Sequence, residues 1–399
     1  MKIVLFLLLF FNALFSQWLP QASNSTEVLL GISFPAHDTG YCVGTTGLIL
    51  KTTDGGNEWN KLVSGLTKFL RDIYFSSRDS GIIVGEGGLI LKSTNSGTTW
   101  SPKVSGTTEH LVHVHFANEF VGMASGQNGV VVKSTDAGNF WQSSTTGVTV
   151  ELAGIYVIND TAACAVGFSG TILRTTNAGT SWIPQNSTVA TDLRSVIFRD
   201  LNTGYAAGLG GTILKTTNGG TTWAALTTGT TKNLYAITFS DDSNGAATGT
   251  GVILRTTNAG ATWIQQTVAF TGDFYDMEFT DARNGWVVGQ QGKIFHNESS
   301  VTGHRSSTTI NPASFTLHQN YPNPFNPSTN IVFELEDDAV VTLTLFDSIG
   351  KEVATIINGT CAKGKHTVSV GAEKLSNGVY YYSLEGNSVR DVKKMAVIK

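Results

Sequence analysis

Thr216-Thr217-Asn218-Gly219-Gly220-Thr221-Thr222-Trp223 is one of six copies of a box that sets the fold of most of this chain. The box tryptophans are Trp59, Trp100, Trp141, Trp182, Trp223 and Trp263, spaced 41, 41, 41, 41 and 40 residues apart. Short apolar strands and glycine turns fill the intervals. A strand-borne period of this length is that of a four-stranded propeller blade. A propeller is a platform, so its architecture leaves function open.

One repeat can be written in full. Leu70-Arg71-Asp72-Ile73-Tyr74-Phe75 alternates as a first strand, and Gly81-Ile82-Ile83-Val84-Gly85 is apolar on both faces. Glu86-Gly87-Gly88 turns the chain into Leu89-Ile90-Leu91-Lys92, and the outer strand begins within Thr98 to Val104. Strands apolar on both faces suit blades packed between two others. The template fits first strands starting at Leu29, Leu70, Leu111, Leu152, Leu193, Leu234 and Phe274, which makes seven copies against six boxes. The last copy lacks the box and the outer strand. Gln17-Trp18-Leu19-Pro20-Gln21 matches the outer-strand stretch Ser181-Trp182-Ile183-Pro184-Gln185. The expectation is an all-β, seven-bladed propeller over 17–297, closed by the mature N-terminal strand, with Trp18 in the place of a box tryptophan.

The box itself reads as structural. Its Asp54, Asn95, Asp136, Asn177, Asn218 and Asn258 can accept backbone N–H bonds within the turn. Its glycine supplies a positive φ and its tryptophan can wedge between blades. Neutral Asn at several of these positions, with no second carboxylate beside them, does not suit calcium. The pattern resembles the Asp-box (bacterial neuraminidase repeat). The whole repeat looks more like the photosystem II assembly-factor propeller family, over roughly residues 17 to 297. That resemblance implies a seven-bladed, protein-binding scaffold; no enzymatic activity and no cofactor are expected.

The chain has 399 residues, 14% of them charged, 44 glycines and a formal net charge of −4. This balance fits an all-β protein with many turns and does not point to nucleic acid or an acidic membrane surface. Met1-Lys2 and the apolar run Ile3 to Phe15 read as a secretory signal peptide, 1–16, with no membrane-spanning segment in the mature chain. Cys42, Cys164 and Cys361 fall where pairing is not expected, so all three are read as free thiols.

Beyond a polar linker, 298–314, comes Asn320-Tyr321-Pro322-Asn323-Pro324-Phe325-Asn326-Pro327, a stiff, irregular lead-in. Six alternating strands follow: 331–335, 341–345, 351–357, 366–370, 379–384 and 392–398. Turns at Ser348-Ile349-Gly350 and Ser376-Asn377-Gly378 suggest a small immunoglobulin-like β-sandwich over 315–399. Together with the terminal Lys393-Lys394-Met395-Ala396-Val397-Ile398-Lys399, these motifs resemble the type A C-terminal sorting domain of type IX secretion substrates. The resemblance implies export by that machinery to the outside or to the outer-membrane surface.

Chemistry-bearing residues are sought where the repeat is broken. Immediately before each first strand stand Val28, Phe69, His110, Glu151, Asp192, Asn233 and Asp273. Two residues later stand Leu30, Arg71, Val112, Ala153, Arg194, Tyr235 and Tyr275. These rings vary while the framework does not, so Arg71, His110, Glu151, Asp192, Arg194, Tyr235, Asp273 and Tyr275 are the binding candidates at one mouth. Glu151 and Asp192 are read as solvated residues or as partners of Arg194 and Arg71. Lys51, Lys92, Lys133, Arg174, Lys215 and Arg255 form a second, repeated ring, read as structural, with stems packed and heads in solvent. No metal site is expected: His110, His113 and His115 share a strand without a supporting ligand at suitable spacing. The function expected is a secreted or cell-surface binding scaffold for a protein or polysaccharide. The alternative is a sialidase-like glycoside hydrolase, for which the early arginine signature is missing.

Overall fold

The computed structural model describes residues 17–282, 284–298, 315–335, 339–347, 352–373, 375–386 and 389–398. The expected signal peptide and most of the expected linker lie outside them. The chain divides into two compact units, Met1–Val301 and Thr302–Lys399.

In the first unit seven four-stranded antiparallel sheets follow one another. The second sheet is typical: Leu70–Phe75, Gly81–Gly85, Leu89–Ser93 and Ser101–Lys103, paired in that order. Its outer strand, Ser101–Lys103, lies within the expected Thr98 to Val104 stretch, Thr98 and Thr99 being used in the box turn. The fourth sheet opens at Gly154 and not at Leu152, whose N–H bonds the Gly126 carbonyl of the third sheet. The seventh sheet takes Phe274–Phe279, Asn284–Gly289 and Ile294–Glu298 from one end of the unit and Gln17–Gln21 from the other. In that last pairing Trp18 lies opposite Asn297.

The apolar faces meet between sheets and not within them. Each of seven core clusters joins two neighbours, and the seventh joins Leu29, Ile32, Cys42 and Trp59 of the first sheet to Trp286, Val288 and Ile294 of the last. The ring is therefore closed by packing as well as by backbone pairing. A phenylalanine at or just beyond the end of a first strand meets the box tryptophan of its own sheet edge-on. Phe34–Trp59, Phe75–Trp100, Phe116–Trp141, Phe198–Trp223 and Phe239–Trp263 are 5.8 to 6.2 Å apart. Phe279 meets Trp18 in the same way at 6.2 Å, so the N-terminal strand supplies the missing tryptophan.

The box works as a hydrogen-bonded knot. Its Asp or Asn Oδ1 accepts the N–H four residues on in all six copies, at 2.9 to 3.0 Å. The preceding hydroxyl, from Thr52, Ser93, Ser134, Thr175, Thr216 or Thr256, donates to that Oδ1 and accepts the buried glycine N–H. The glycine is required at Gly138, where φ is +79° and a Cβ would lie 2.6 Å from Ile82 Cδ1 of the neighbouring sheet.

The basic ring differs from expectation at its tips. Lys51 Nζ donates to Ser96 O at 2.7 Å, Lys215 Nζ to Ala259 O at 2.9 Å and Arg255 to Ala282 O at 2.7 Å, all in the next sheet. These heads are bonded to backbone carbonyls across the seams, because the orphan carbonyls of a tight turn attract a cation. Cys42, Cys164 and Cys361 are free thiols, the first two buried.

The second unit has a three-stranded sheet, Phe315–Leu317, Ser328–Leu335 and Gly364–Gly371, and a four-stranded one, Glu352–Cys361, Ala339–Phe346, Gly378–Gly386 and Val389–Val397. They share a core in which Ile331, Phe333 and Leu335 meet Leu343, Tyr382, Leu384 and Met395. Phe315–Leu317 is a strand the sequence did not suggest. The proline-rich lead-in lies along the edge of the last strand. Phe325 N–H bonds Ala396 O at 3.0 Å, and Asn323 Oδ1 accepts Ala396 N–H at 2.8 Å. That covers an edge which would otherwise be open to pairing. The turn at Ser348-Ile349-Gly350 lies outside the described residues.

Two outcomes test this account. Trp18→Ala removes a buried indole from the closing sheet and lowers stability by about 3–5 kcal/mol, read by urea unfolding. Thr216→Val leaves the Gly220 N–H buried without its acceptor and costs about 1–3 kcal/mol in the same measurement, whereas Thr216→Ser is nearly neutral.

Candidate functional site

One face of the ring carries the leads into the first strands and the turns between second and third strands. Every residue just before a first strand is held there by its carbonyl. Val28, Phe69, His110, Glu151, Asp192, Asn233 and Asp273 each accept the N–H that follows the second strand, at 2.9 to 3.1 Å. A glycine ends each second strand because the approach leaves no room for a side chain. A Cβ on Gly167 would lie 2.1 Å from Glu151 O, and one on Gly249 would lie 1.8 Å from Asn233 O. The backbone of this ring is thus fixed sevenfold while its side chains are unconstrained by the ladder.

Two residues later the ladder slips. In six sheets the pairing shifts across Leu30, Arg71, Val112, Arg194, Tyr235 and Tyr275. A bulge leaves its extra residue out of register and re-aims the side chain. Spacing in the sequence located these positions but could not show that they are bulged.

The eight candidates fall into three groups. His110 and Asp192 cap the turn of the preceding sheet: His110 Nδ1 accepts Gly87 N–H at 2.9 Å, and Asp192 Oδ1 accepts Ser169 N–H at 3.0 Å. Asp273 bonds within its own sheet, accepting from Gln290 Nε2 at 2.9 Å. Arg194 lies between Asp192, at 3.2 Å, and Glu151, at 3.9 Å, with its guanidinium 4.4 Å from the Phe168 ring centroid. Arg71 lies over Phe69 at 5.5 Å. Tyr235 and Tyr275, on adjacent sheets, stack at 5.6 Å and 29°. Tyr235 Oη is 3.2 Å from Thr250 Oγ1, and Tyr275 Oη accepts from Gln290 at 3.3 Å. Burial raises the Tyr275 hydroxyl above its ordinary value. The face therefore offers a half-buried arginine on an aromatic ring and a stacked tyrosine pair, set in a polar rim.

Below this face, all seven first strands line an axial cavity of about 300 Å³. Asp72, His113, His115, Asp276 and Glu278 face it, with no Lys or Arg among the lining residues. The sequence places no carboxylate at ligand spacing from the histidines, but folding brings Asp72 of the second sheet to 3.8 Å from His113 of the third. The signal was present in the repeat-breaking series Gly31, Asp72, His113, Gly154, Ser195, Ala236 and Asp276, one residue beyond Arg71 and its counterparts. Asp72 and Asp276 of this series, and Glu278 two residues further on, accept N–H groups from the free inner edge of the next sheet. Asp72 Oδ2 takes Val114 N–H at 2.8 Å, Asp276 Oδ2 takes Ile32 N–H at 2.9 Å, and Glu278 Oε2 takes Phe34 N–H at 2.7 Å. Burial pushes Asp72 and Asp276 up to about 7, the nearby Asp72 charge adding to the rise at Asp276, and burial pushes Glu278 up to about 8. Burial holds His113 below its ordinary value and His115 down at about 3. Among the described residues no group of three or more His, Cys, Asp or Glu is arranged to hold a metal ion, and no helix is long and apolar enough to cross a membrane.

Arg194→Ala removes the cation from Glu151 and Asp192 and its stacking on Phe168. At about a quarter exposure the loss is about 1 kcal/mol or less in urea unfolding. Arg194→Lys does not restore it fully, because an ammonium lacks the planar stacking surface.

Comparison with known proteins agrees with this geometry. The family model for the photosynthesis system II assembly factor YCF48 matches residues 61–195. The model for the secretion system C-terminal sorting domain matches residues 319–399. Among solved structures, YCF48 bound to D1 peptide superposes with a TM-score of 0.61 at 20% identity, covering 73% of this chain and 100% of that one. YCF48 from Cyanidioschyzon merolae gives 0.60 at 19%, covering 71% and 99%. The WD40 propeller domain of Doa1 gives 0.61 at 12%, covering 72% and 99%. No curated protein matches the chain in sequence. At these identities the structural likeness is one of fold, and it is to propellers in all three. The chain thus joins a propeller similar to that of the YCF48 assembly factors to a C-terminal segment that matches the secretion system sorting domain.

Proposed function

We propose that this protein is a non-enzymatic, surface-exposed binding scaffold whose propeller takes a polypeptide partner on the face bearing Arg71, Arg194, Tyr235 and Tyr275. The observation that carries the reading is the contrast at that face. Seven carbonyls are pinned to one geometry while the side chains they present differ from sheet to sheet. A fixed backbone lowers the ordering cost of binding, and varied side chains supply specificity. Arginine and tyrosine are the residue types that dominate interface energetics. One similar propeller, YCF48, is known bound to D1 peptide, which supports a polypeptide over a polysaccharide as the partner here. A sialidase-like role is the weaker reading, because Arg194 is already matched by Glu151 and Asp192 and a substrate carboxylate would have to displace both.

The sorting-domain match over residues 319–399 supports export by the type IX machinery, outside the cell or to the outer-membrane surface.

Capture from surface extracts by the mature chain, against the variant with Arg71, Arg194, Tyr235 and Tyr275 all changed to Ala, tests the face. The expected outcome is loss of the captured polypeptide with an unchanged far-ultraviolet spectrum. Equal capture by both chains rejects the assignment, and turnover of a fluorogenic sialoside by the wild type rejects the non-enzymatic reading. Removing residues 315–399 is expected to retain the protein in the periplasm, read by fractionation of the producing cells.

A further inference from the structure

The seam between the seventh and first sheets joins residues 244 apart in the chain and is held by two carboxyl acceptors, where the seam of the second and third sheets has one, Asp72 on Val114 at 2.8 Å. At the seam of the first and second sheets the inner-edge N–H of Phe75 is taken by the Ser33 hydroxyl, at 3.2 Å. At that of the fifth and sixth the Ile237 N–H goes to the Ser195 hydroxyl, at 3.3 Å. Neither acceptor titrates. At the closing seam both acceptors are carboxyls, Asp276 on Ile32 and Glu278 on Phe34. The far rim repeats the contrast. The first and second sheets are tied there by Arg78 and Asp38, a permanent cation on a carboxylate, and the fifth and sixth by Arg199 and Asp242. At the closing seam the same place holds His37, 2.8 Å from Thr280 Oγ1 and 3.5 Å from Asp281, an ion pair only when the imidazole is protonated.

We propose that the seam between the first and seventh sheets is a pH-sensitive latch, tight in mild acid and loosened above neutrality. Ionising Asp276 and Glu278 beside Asp72 fills one narrow cavity with like charges and with no Lys or Arg on its lining to balance them. Like charges held in a poorly hydrated space repel strongly.

The groups facing these carboxyls do not reverse the effect. Asp72 and Tyr74 face them from the second sheet, His113 and His115 from the third, and Tyr156 from the fourth. Cys42 of the first sheet lies close enough to feel both charges. Burial keeps both imidazoles neutral above their ordinary value and holds the thiol and the two phenols protonated. Among the groups facing the cavity, only the carboxyls change charge as pH rises through about 7 to about 8. Carboxyls raised in the folded state bind protons that the unfolded chain has released. Their contribution is therefore full at low pH and is lost as pH rises through about 7 to about 8.

The test uses the mature chain and Asp276→Asn/Glu278→Gln, which keeps an oxygen acceptor at each site. All eight tryptophans lie at or before Trp286, so their fluorescence reports the propeller alone. Between pH 6 and 9 the wild-type Tm is expected to fall by on the order of 5 °C while that of the variant, in which Asp72 alone still titrates, falls distinctly less. Amide exchange in the wild type locates the effect. Protection at Ile32 and Phe34 drops at pH 9, after correction for intrinsic base catalysis, more than at Phe75 and Ile237. Parallel Tm curves for the two chains, or equal loss of protection at all four amides, overturns the latch. Should the double variant not fold, the exchange comparison in the wild type decides alone.

Discussion

Backbone pairing between Gln17–Gln21 and Ile294–Glu298 is the interaction on which the ring rests. It completes the seventh sheet with a strand drawn from the opposite end of the unit. Loop-closure entropy grows only slowly with length, so bringing together ends that are about 280 residues apart is far less costly than its span suggests. Trp18 then adds a buried indole at the place held by box tryptophans elsewhere. Once the sheet is complete, its remaining face packs on the first sheet through Trp286, Phe34 and Trp59, and no propeller core is left with one side exposed.

Within that closed ring the repeat divides labour by position. The hydroxyl, the Asp or Asn and the glycine of the box saturate a tight turn locally. The Lys or Arg before it, at Lys51, Lys92, Arg174, Lys215 and Arg255, bonds the next sheet across the seam. Glycines at the ends of the second strands let a neighbouring carbonyl approach to hydrogen-bonding distance of the following N–H. All of these are backbone tasks, and each is insensitive to the side chains at the mouth. Variation accumulates there because it has little structural cost, which is the arrangement a recognition surface needs.

Polar groups near the axis follow a different logic. The inner strand of each sheet has one unpaired edge, and a buried N–H without a partner is costly. Side chains of the adjacent sheet supply the acceptors. Where the acceptor is serine the joint is indifferent to pH; where it is a carboxyl in a cavity without cations, the joint inherits a titration. The structural use of Asp276 and Glu278 and their protonation behaviour are therefore one property and not two.

Repeat spacing, the match between Gln17–Gln21 and Ser181–Gln185, and the alternation of the tail strands are local patterns, and local patterns survive in a linear text. The sheets, the N-terminal closure and the structural role of the box were legible for that reason, as was the ring containing Arg194 and Tyr275. The bulges that turn those side chains, the stacking of Arg194 on Phe168, and the bonding of lysine heads to neighbouring carbonyls were not. Nor was the meeting of Asp72 with His113, or of Asp276 with Ile32. Each of these depends on which residues of different repeats come face to face, and that is set by the closing of the ring and not by any residue's neighbours in the chain.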